Sequence, residues 1–226
     1  MGSLLKAVGI TRRYRMGDTE LEVLKGIDLS VAPGEIVAVV GPSGVGKSTL
    51  LHILGGLDHP SSGSVWIDAT DVFALPDAER ARFRNRAVGF VFQFHHLLAD
   101  FTALENVMLP LMIQGQDAAQ AWGPAAALFQ SVGLSDRMDH LPAELSGGEL
   151  QRVAVVRALV TRPKLVLADE PSGNLDVERS VELHDMIWEL AHNLEQTFVL
   201  VTHDVALARR ADRIVRMEDG RIVDSA

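Results

Sequence analysis

Residues 41–49 read Gly41-Pro42-Ser43-Gly44-Val45-Gly46-Lys47-Ser48-Thr49 and fit the pattern GxxxxGKS. An apolar run at residues 36–40 precedes this stretch, and an apolar pattern with helical spacing follows it. In a strand, glycine-rich loop and helix of this kind, backbone N–H groups and the helix N-terminus point at the phosphates of a nucleotide. The stretch therefore predicts a phosphate-binding loop, in which Lys47 would hold the β- and γ-phosphates and Ser48 a magnesium ion. A glycine-rich turn that binds nothing has no need of this Lys-Ser pair.

Composition limits the classes of protein to which the chain can belong. Its 226 residues suffice for one well-buried α/β domain that carries a subdomain, and are too few for two independent domains of usual size. The net charge of −9 provides no general basic surface, so we do not expect nucleic acid as a main ligand. No apolar run approaches the length of about 20 residues that spans a bilayer, which favours a soluble, cytoplasmic chain. The absence of cysteine excludes disulfides and thiol catalysis.

The segment before the loop has the partly alternating apolar pattern of β-strands. Residues 4–31 read as two extended stretches around a turn near residues 16–18, which predicts an antiparallel sheet. Tyr14 lies in the first stretch, where its ring could stack on an adenine or simply pack on neighbouring strand residues.

Strand patterns disappear after Gln93, and two helical patterns occupy the residues up to about 145. Thr102 and Glu105 have the spacing of a capping box, which predicts a helix towards residue 113, and residues 118–132 predict a second helix. We expect three large side chains to form a small core between them: Met108, Met112 and Trp122. The sequence thus predicts a single domain with an α/β core, residues 1–93 and 146–226, and an inserted α-helical subdomain at about residues 94–145.

A second glycine pair opens a predicted helix later in the chain. Ser146 and Glu149 have capping-box spacing ahead of a helical pattern that runs to about residue 160. Gly147 and Gly148 are costly in a first helical turn unless another group must approach the backbone closely. An anion at this helix N-terminus would explain both glycines.

Two carboxylates end the apolar run at residues 165–168. Asp169 and Glu170 would lie at the carboxyl edge of a parallel sheet, where open α/β sheets bind their ligands. We predict that Asp169 reaches the magnesium ion through water and that Glu170 takes a proton from an attacking water. In the alternative interpretation, both acids only cap the following turn at residues 171–174. His203 follows the next predicted strand, residues 197–202, and is expected near the same edge.

Taken together, these motifs resemble those of the ATP-binding cassette (ABC) ATPases over essentially the whole chain. Tyr14 is similar to the family's adenine-stacking aromatic residue, residues 41–49 to its Walker A loop, and Gln93 to the glutamine that links magnesium to the helical subdomain. Residues 145–149 resemble the family signature, residues 165–169 Walker B, Glu170 the catalytic carboxylate, residues 172–176 the D-loop, and His203 the histidine that senses the γ-phosphate. The resemblance implies an α/β P-loop NTPase fold with an N-terminal antiparallel β subdomain, ATP and Mg²⁺ as ligands, and ATP hydrolysis.

The resemblance also implies a second copy of the chain. In this family, two subunits face each other head to tail, and ATP lies between Walker A of one subunit and the signature helix of the other. Ser146, Gly147, Gly148 and Glu149 would then belong to the site of a nucleotide held mainly by the opposite subunit. A homodimer is therefore expected in the ATP-bound state, and one chain alone is expected to have no complete site.

Residues 51–58 and 92–107 are further similar to the ATPase subunits of bacterial lipoprotein-releasing transporters. This similarity implies a peripheral subunit at the cytoplasmic face of the inner membrane, which drives integral-membrane permease subunits and meets the lipoprotein cargo only indirectly. Macrolide- or peptide-exporter and cell-division ATPases share much of the pattern, and a soluble ABC ATPase without a transporter is a further alternative. The apolar cluster from Phe94 to Phe101 is expected either to dock a cytoplasmic helix of the permease or to belong to the core of the helical subdomain.

Overall fold

Strands and helices alternate along most of the chain, and the structure, a computed structural model, describes residues 2–17 and 19–225. The N-terminal part contains β1 (Leu5–Met16), β2 (Thr19–Val31), β3 (Ile36–Val40), α1 (Lys47–Leu54), β4 (Ser62–Ile67), β5 (Thr70–Asp71), α2 (Asp77–Ala87) and β6 (Val88–Val91). Two helices follow, α3 (Ala103–Ile113) and α4 (Ala118–Ser131). The remainder contains α5 (Gly147–Leu159), β7 (Leu165–Asp169), α6 (Val177–Asn193), β8 (Thr197–Val201), α7 (Val205–Ala208), β9 (Arg213–Glu218) and β10 (Arg221–Ser225).

A six-stranded sheet forms the centre of the molecule, in the strand order β10-β9-β3-β8-β7-β6. Neighbouring strands are parallel except β9 and β10, which form an antiparallel hairpin around Asp219-Gly220. The apolar runs of β3, β7 and β8 are buried on both faces, as is usual for parallel strands covered on two sides. Since parallel strands end at the same edge, the segments that follow β3, β6, β7 and β8 all leave the sheet on one side.

Alternate residues of the central strands divide the core into two clusters. Val37 and Val39 pack with α1 and with a second, antiparallel sheet of order β2-β1-β4-β5. Ile36 and Ala38 face the other side and pack with α3 to α6. The predicted antiparallel pairing of the N-terminal strands is confirmed, although residue 18 of the predicted turn lies outside the described residues.

The segment between β6 and α5 is helical, as predicted, and both helices begin with capping boxes. Ala121, Ala125 and Phe129 form the buried stripe of α4, and Trp122 lies about 100° around the helix from that stripe. Trp122 and Met112 are therefore exposed, and the prediction that they form a small core with Met108 is wrong for both. The boundaries of a separate helical subdomain stay a prediction. Within the described ranges, no helix is long and apolar enough to cross a membrane.

Candidate active site

Two glycines of the loop at residues 41–46, Gly41 and Gly46, are required because other segments of the chain approach them closely. A Cβ atom at Gly41 would lie 2.3 Å from the Met217 carbonyl oxygen of β9. At Gly46, which has φ +103° and caps α1, a Cβ atom would lie 2.9 Å from Leu24 Cδ2. The loop is thus fixed by this chain's own packing, with the N-terminus of α1 behind it.

Lys47 turns its ammonium group back over the start of the same loop. Its Nζ donates to the carbonyl oxygens of Gly41 and Pro42, at 2.9 and 3.0 Å, and the residue is buried. No carboxylate in the described part of the chain forms an ion pair with it. A positive charge held only by carbonyl groups favours an anion beside the loop.

Asp169 ends β7 with one carboxylate oxygen that lacks a protein partner. Across residues 2–17 and 19–225, its Oδ1 is one of two buried side-chain polar atoms without a hydrogen bond. Burial raises the pKa of Asp169 above its usual value, whereas a hydrogen bond with the Ser48 hydroxyl lowers it. Hard oxygen donors of this kind fit magnesium. The described residues contain no cluster of three or more His, Asp or Glu that could hold a metal ion.

Glu170 contacts His203 at the same edge of the sheet. Glu170 Oε2 accepts from His203 Nδ1 at 2.6 Å, and the glutamate side chain is largely buried while the histidine is exposed. Glu170 has φ +46°, a left-handed conformation that costs a non-glycine residue roughly 1–3 kcal/mol. Its amide donates to the Val201 carbonyl at 2.9 Å, which holds this conformation.

The structure does not support the alternative interpretation, in which Asp169 and Glu170 only cap the next turn. Backbone bonds close that turn, from Gly173 N to Glu170 O at 2.9 Å and from Leu175 N to Ser172 O at 3.0 Å. Among the described contacts, neither acidic side chain bonds a residue of this turn. Both carboxylates are therefore available to the cleft beside the phosphate loop.

Gln93 reaches the same edge from the end of β6, and two partners that the sequence analysis missed hold this region. Asn174 Nδ2 donates to the Gln93 carbonyl at 2.9 Å, and Gln93 Nε2 donates to Asn174 Oδ1 at 3.3 Å. Gln151 Nε2 of α5 donates to the Phe92 carbonyl at 2.8 Å. A signal for Gln151 is present in the sequence, because it is a polar residue on the apolar face of a helix.

Arg157, further along α5, also holds the segment after Gln93. Its guanidinium donates to the His95 and His96 carbonyl oxygens, at 2.7 and 2.8 Å. Burial lowers the pKa of Arg157. Helix α5 is thereby tied to residues 92–96 at two points.

Tyr14 is fixed in β1 of the small antiparallel sheet. Its hydroxyl donates to Asp58 Oδ2 at 2.8 Å, and the Arg12 guanidinium lies 4.4 Å from the ring centroid. One ring face is thus covered, and an adenine could stack only on the other. No hydrogen bond or ring contact in the described structure joins Tyr14 to residues 41–49.

The start of α5 has the predicted capping box. Glu149 N donates to Ser146 Oγ at 3.3 Å, and Ser146 N donates to Glu149 Oε2 at 2.8 Å. Hydrogen bonds from the Ser146 amide and hydroxyl and from the Arg137 guanidinium lower the pKa of the Glu149 carboxyl to about 2. No hydrogen bond or ion pair of the described residues links this region to residues 41–49, so the structure of one chain does not bring the two predicted halves of the site together.

Among the described residues, no atom lies unusually close to the Cβ positions of the two glycines that begin α5. Added Cβ atoms at Gly147 and Gly148 would lie 3.6 Å from Leu175 Cδ2 and 3.5 Å from Arg179 Cδ, which are ordinary contact distances. Packing within this subunit therefore does not explain why these two positions are glycine.

Comparison with known proteins agrees with this geometry. A family model described as "ABC transporter" matches residues 24–173, and the chain belongs to this family. It is an ATPase with the ABC fold. The "Lipoprotein-releasing system ATP-binding protein LolD" of Geobacter metallireducens is 56% identical over 223 residues, which cover 99% of both chains. The protein of the same name from Shewanella oneidensis is 52% identical over 217 residues, 96% of this chain and 94% of its own.

Solved structures give the same answer at the level of the fold. The dimeric structure of MJ0796, described as a bacterial ABC transporter cassette, matches with a TM-score of 0.90 and 37% identity over 98% of this chain and 97% of that chain. A second dimeric structure of MJ0796, a post-hydrolysis state bound to ADP and Pi, matches equally well. The predicted fold class and the prediction of ATP hydrolysis are confirmed.

Proposed function

We propose that this chain is the ATP-hydrolysing subunit of a bacterial inner-membrane transporter that drives the release of lipoproteins towards the outer membrane. The assignment to lipoprotein release is supported by the relatives. They are more than 50% identical over nearly the whole chain, and they share the name of a lipoprotein-releasing system ATP-binding protein. The exporter-type, cell-division and soluble alternatives have no comparable support. For hydrolysis itself, the carrying observation is that Asp169 and the Glu170–His203 pair lie at the ends of β7 and β8, adjacent parallel strands, next to β3 and the loop that leads to Lys47.

The residues of this edge have distinct roles in hydrolysis. The N–H groups of residues 41–49 and the Lys47 ammonium bind the phosphates and offset their charge. Glu170 takes a proton from the attacking water, and His203 orients the Glu170 carboxylate and senses the γ-phosphate. A bound magnesium ion would neutralise charge on phosphate oxygens, and Ser48, Asp169 and Gln93 are the residues that would hold it. The free face of the Tyr14 ring stacks on the adenine.

The active unit is a homodimer with composite sites. In one chain, residues 146–149 are free of the phosphate loop, and the two glycines lie open at the capped start of a helix. This open, positively polarised helix end fits the γ-phosphate of a nucleotide held by a second copy. The dimeric structures of the similar MJ0796 cassette support this arrangement.

A membrane subunit docks beside Gln93, on the surface formed by Phe94, Leu98 and Phe101. These side chains are 64%, 48% and 38% exposed, whereas Leu97 is only 9% exposed and packs in the core. The two interpretations of the apolar cluster thus apply to different residues. Leu97 belongs to the core, and Phe94, Leu98 and Phe101 remain available for docking. Docking at this surface places the chain at the cytoplasmic face of the inner membrane, in contact with permease subunits and only indirectly with cargo.

The proposal is tested by isolating the chain with its natural partners. A tagged chain purified from membranes in mild detergent is expected to bring with it integral-membrane subunits and a lipid-modified protein, identified by mass spectrometry. Recovery of no integral-membrane protein would contradict the transporter assignment. Recovery of a permease with cargo of another class would contradict lipoprotein release alone.

Two adjacent leucines provide matched variants for the docking surface. Leu98→Asp should lose the membrane subunits while the isolated chain keeps its melting temperature and ATP binding, because its side chain is exposed. Leu97→Asp should lower the melting temperature, because it buries a charge. A Leu98→Asp chain that still copurifies with the permease would rule out this docking surface.

A further inference from the structure

The turn between β7 and α6 is attached to α6 by a buried hydrogen bond that the proposed mechanism does not use. Ser172 Oγ and His184 Nε2 are 2.8 Å apart. Both residues are buried, with 9% and 4% of their surface exposed. His184 lies in the middle of α6, so the turn is held against a long, rigid element.

This turn determines where Glu170 points. Glu170 lies two residues before Ser172, in the left-handed conformation already described, and its carbonyl accepts the bond from Gly173 that closes the turn. A strained conformation of this kind persists only where the surroundings enforce it. Asn174 holds the other end of the turn through its paired bonds with Gln93. The turn is therefore held from two sides, by Gln93 and by His184.

We propose that His184 is a positioning residue for ATP hydrolysis. Through its hydrogen bond to Ser172 it fixes residues 170–174, so that the Glu170 carboxylate stays against His203 and aimed at the attacking water. The inference depends on the proposed role of Glu170 as the general base. It adds a buried residue of α6 to the residues that set the rate of the chemical step.

The protonation state of His184 fits this role. Burial lowers its pKa below the usual histidine value, against the opposing effect of Asp204, and Arg210 lowers the pKa further while Asp185 raises it. A neutral imidazole can accept from the Ser172 hydroxyl or donate to it, so the pair stays satisfied in the buried site. Loss of either partner leaves the other without its hydrogen bond.

The test is steady-state ATP hydrolysis by the full chain, with kcat and KM measured separately. His184→Phe retains a ring of similar size but cannot bond Ser172. We expect kcat to fall about 10-fold with little change in the KM for ATP, because small displacements of a catalytic group slow the chemical step. His184→Gln, whose amide can reach Ser172, should restore most of the rate. His192→Phe is the matched control, since His192 is exposed on the same helix, and its kcat should equal that of the wild type.

Two double variants separate positioning from stability. His184→Phe combined with Ser172→Ala should be no slower than the slower single variant, because both remove one interaction. In a Glu170→Gln background, His184→Phe should have little further effect on the residual rate. A folding defect would instead reduce activity by the same factor in either background.

The outcomes distinguish this inference from the mechanism beneath it. Near-normal hydrolysis by Glu170→Gln would overturn the proposed role of Glu170. A slow Glu170→Gln variant together with wild-type kcat in His184→Phe would overturn the positioning role alone, even if the melting temperature fell. If His184→Phe does not fold, Ser172→Ala carries the same prediction of lower kcat at unchanged KM, and a wild-type kcat there would refute it.

Discussion

The phosphate loop and the start of α5 are both glycine-containing helix N-termini, yet they differ in what their glycines meet. At Gly41, a side chain would collide with the Met217 carbonyl at 2.3 Å, whereas at Gly147 the nearest atom is 3.6 Å away. The first region is shaped by contacts within its own subunit. The second is open, and the approach of a nucleotide held by a second copy, as proposed above, would explain its glycines. A glycine that no contact within its own chain explains thus indicates a surface that another molecule approaches.

The largest effect is expected at Glu170, the proposed general base, on the side of the site that contains the phosphate loop. Glu170→Gln keeps the size and hydrogen bonding of the side chain but removes the proton acceptor, so hydrolysis should fall by roughly 10²-fold or more while ATP still binds. The variant should accumulate as an ATP-bound dimer, measured by gel filtration with ATP. Turnover close to that of the wild type in the assembled complex would contradict the assignment of the base.

Mixing two inactive variants tests whether the two regions belong to different copies. Lys47→Ala damages the phosphate loop and Ser146→Arg blocks the start of α5, so each homodimer should be inactive. In a heterodimer both lesions fall in one composite site and the other site is intact, so part of the activity should return. A mixture that stays inactive, although heterodimers form, would exclude the composite site.

A matched pair of alanine substitutions separates the two kinds of glycine. Gly41→Ala forces an overpacked contact worth about 1–3 kcal/mol, which lowers the melting temperature of a chain of this size by roughly 2–12 °C. Gly147→Ala should leave the melting temperature unchanged or slightly higher, because alanine is the better helix former, yet it should slow hydrolysis in the dimer. Equal thermal shifts, measured by differential scanning fluorimetry, would remove the distinction.

The smallest expected effect concerns Glu149 and pH. The pKa of Glu149 in the folded chain is about 2, below its ordinary value of 4.5. The ionised carboxylate therefore contributes fully to the free energy of unfolding at pH values above 4.5. This contribution is lost as the pH falls towards 2. The difference in melting temperature between wild type and Glu149→Gln should therefore be largest near neutral pH and shrink in acid. A constant difference across this range would argue against the capping interaction as its cause.

Sequence patterns predicted the strands, helices and helix caps that depend only on residues close together in the chain. The strand at residues 36–40, the helix from Lys47 and the capping boxes at Thr102 and Ser146 all lie where predicted, because each depends on neighbours within a few residues. The turn between β9 and β10 is equally local, since both of its residues, Asp219 and Gly220, have positive φ.

Contacts between distant segments could not be predicted in this way. The pairs Gln93–Asn174 and Phe92–Gln151 join residues 81 and 59 positions apart, and they depend on strand order and helix rotation. The same limit explains the apolar cluster after Gln93. Whether Leu97 or Leu98 faces the core depends on the path of a segment without helical or strand periodicity.

The attachments of α5 give this helix the properties of a lever. A helix of 13 residues is about 20 Å long, and α5 carries the open glycines at one end and holds residues 92–96 along its length. A tilt of about 10° at the glycine end displaces the Arg157 end by roughly 3 Å, as follows from the helical rise per residue. For a given tilt, the displacement grows with the distance between the two ends of the helix. In the dimer proposed above, closure of the nucleotide cleft by a small angle would become a displacement of about 3 Å beside Phe94, on the scale of a side chain sliding past its neighbour.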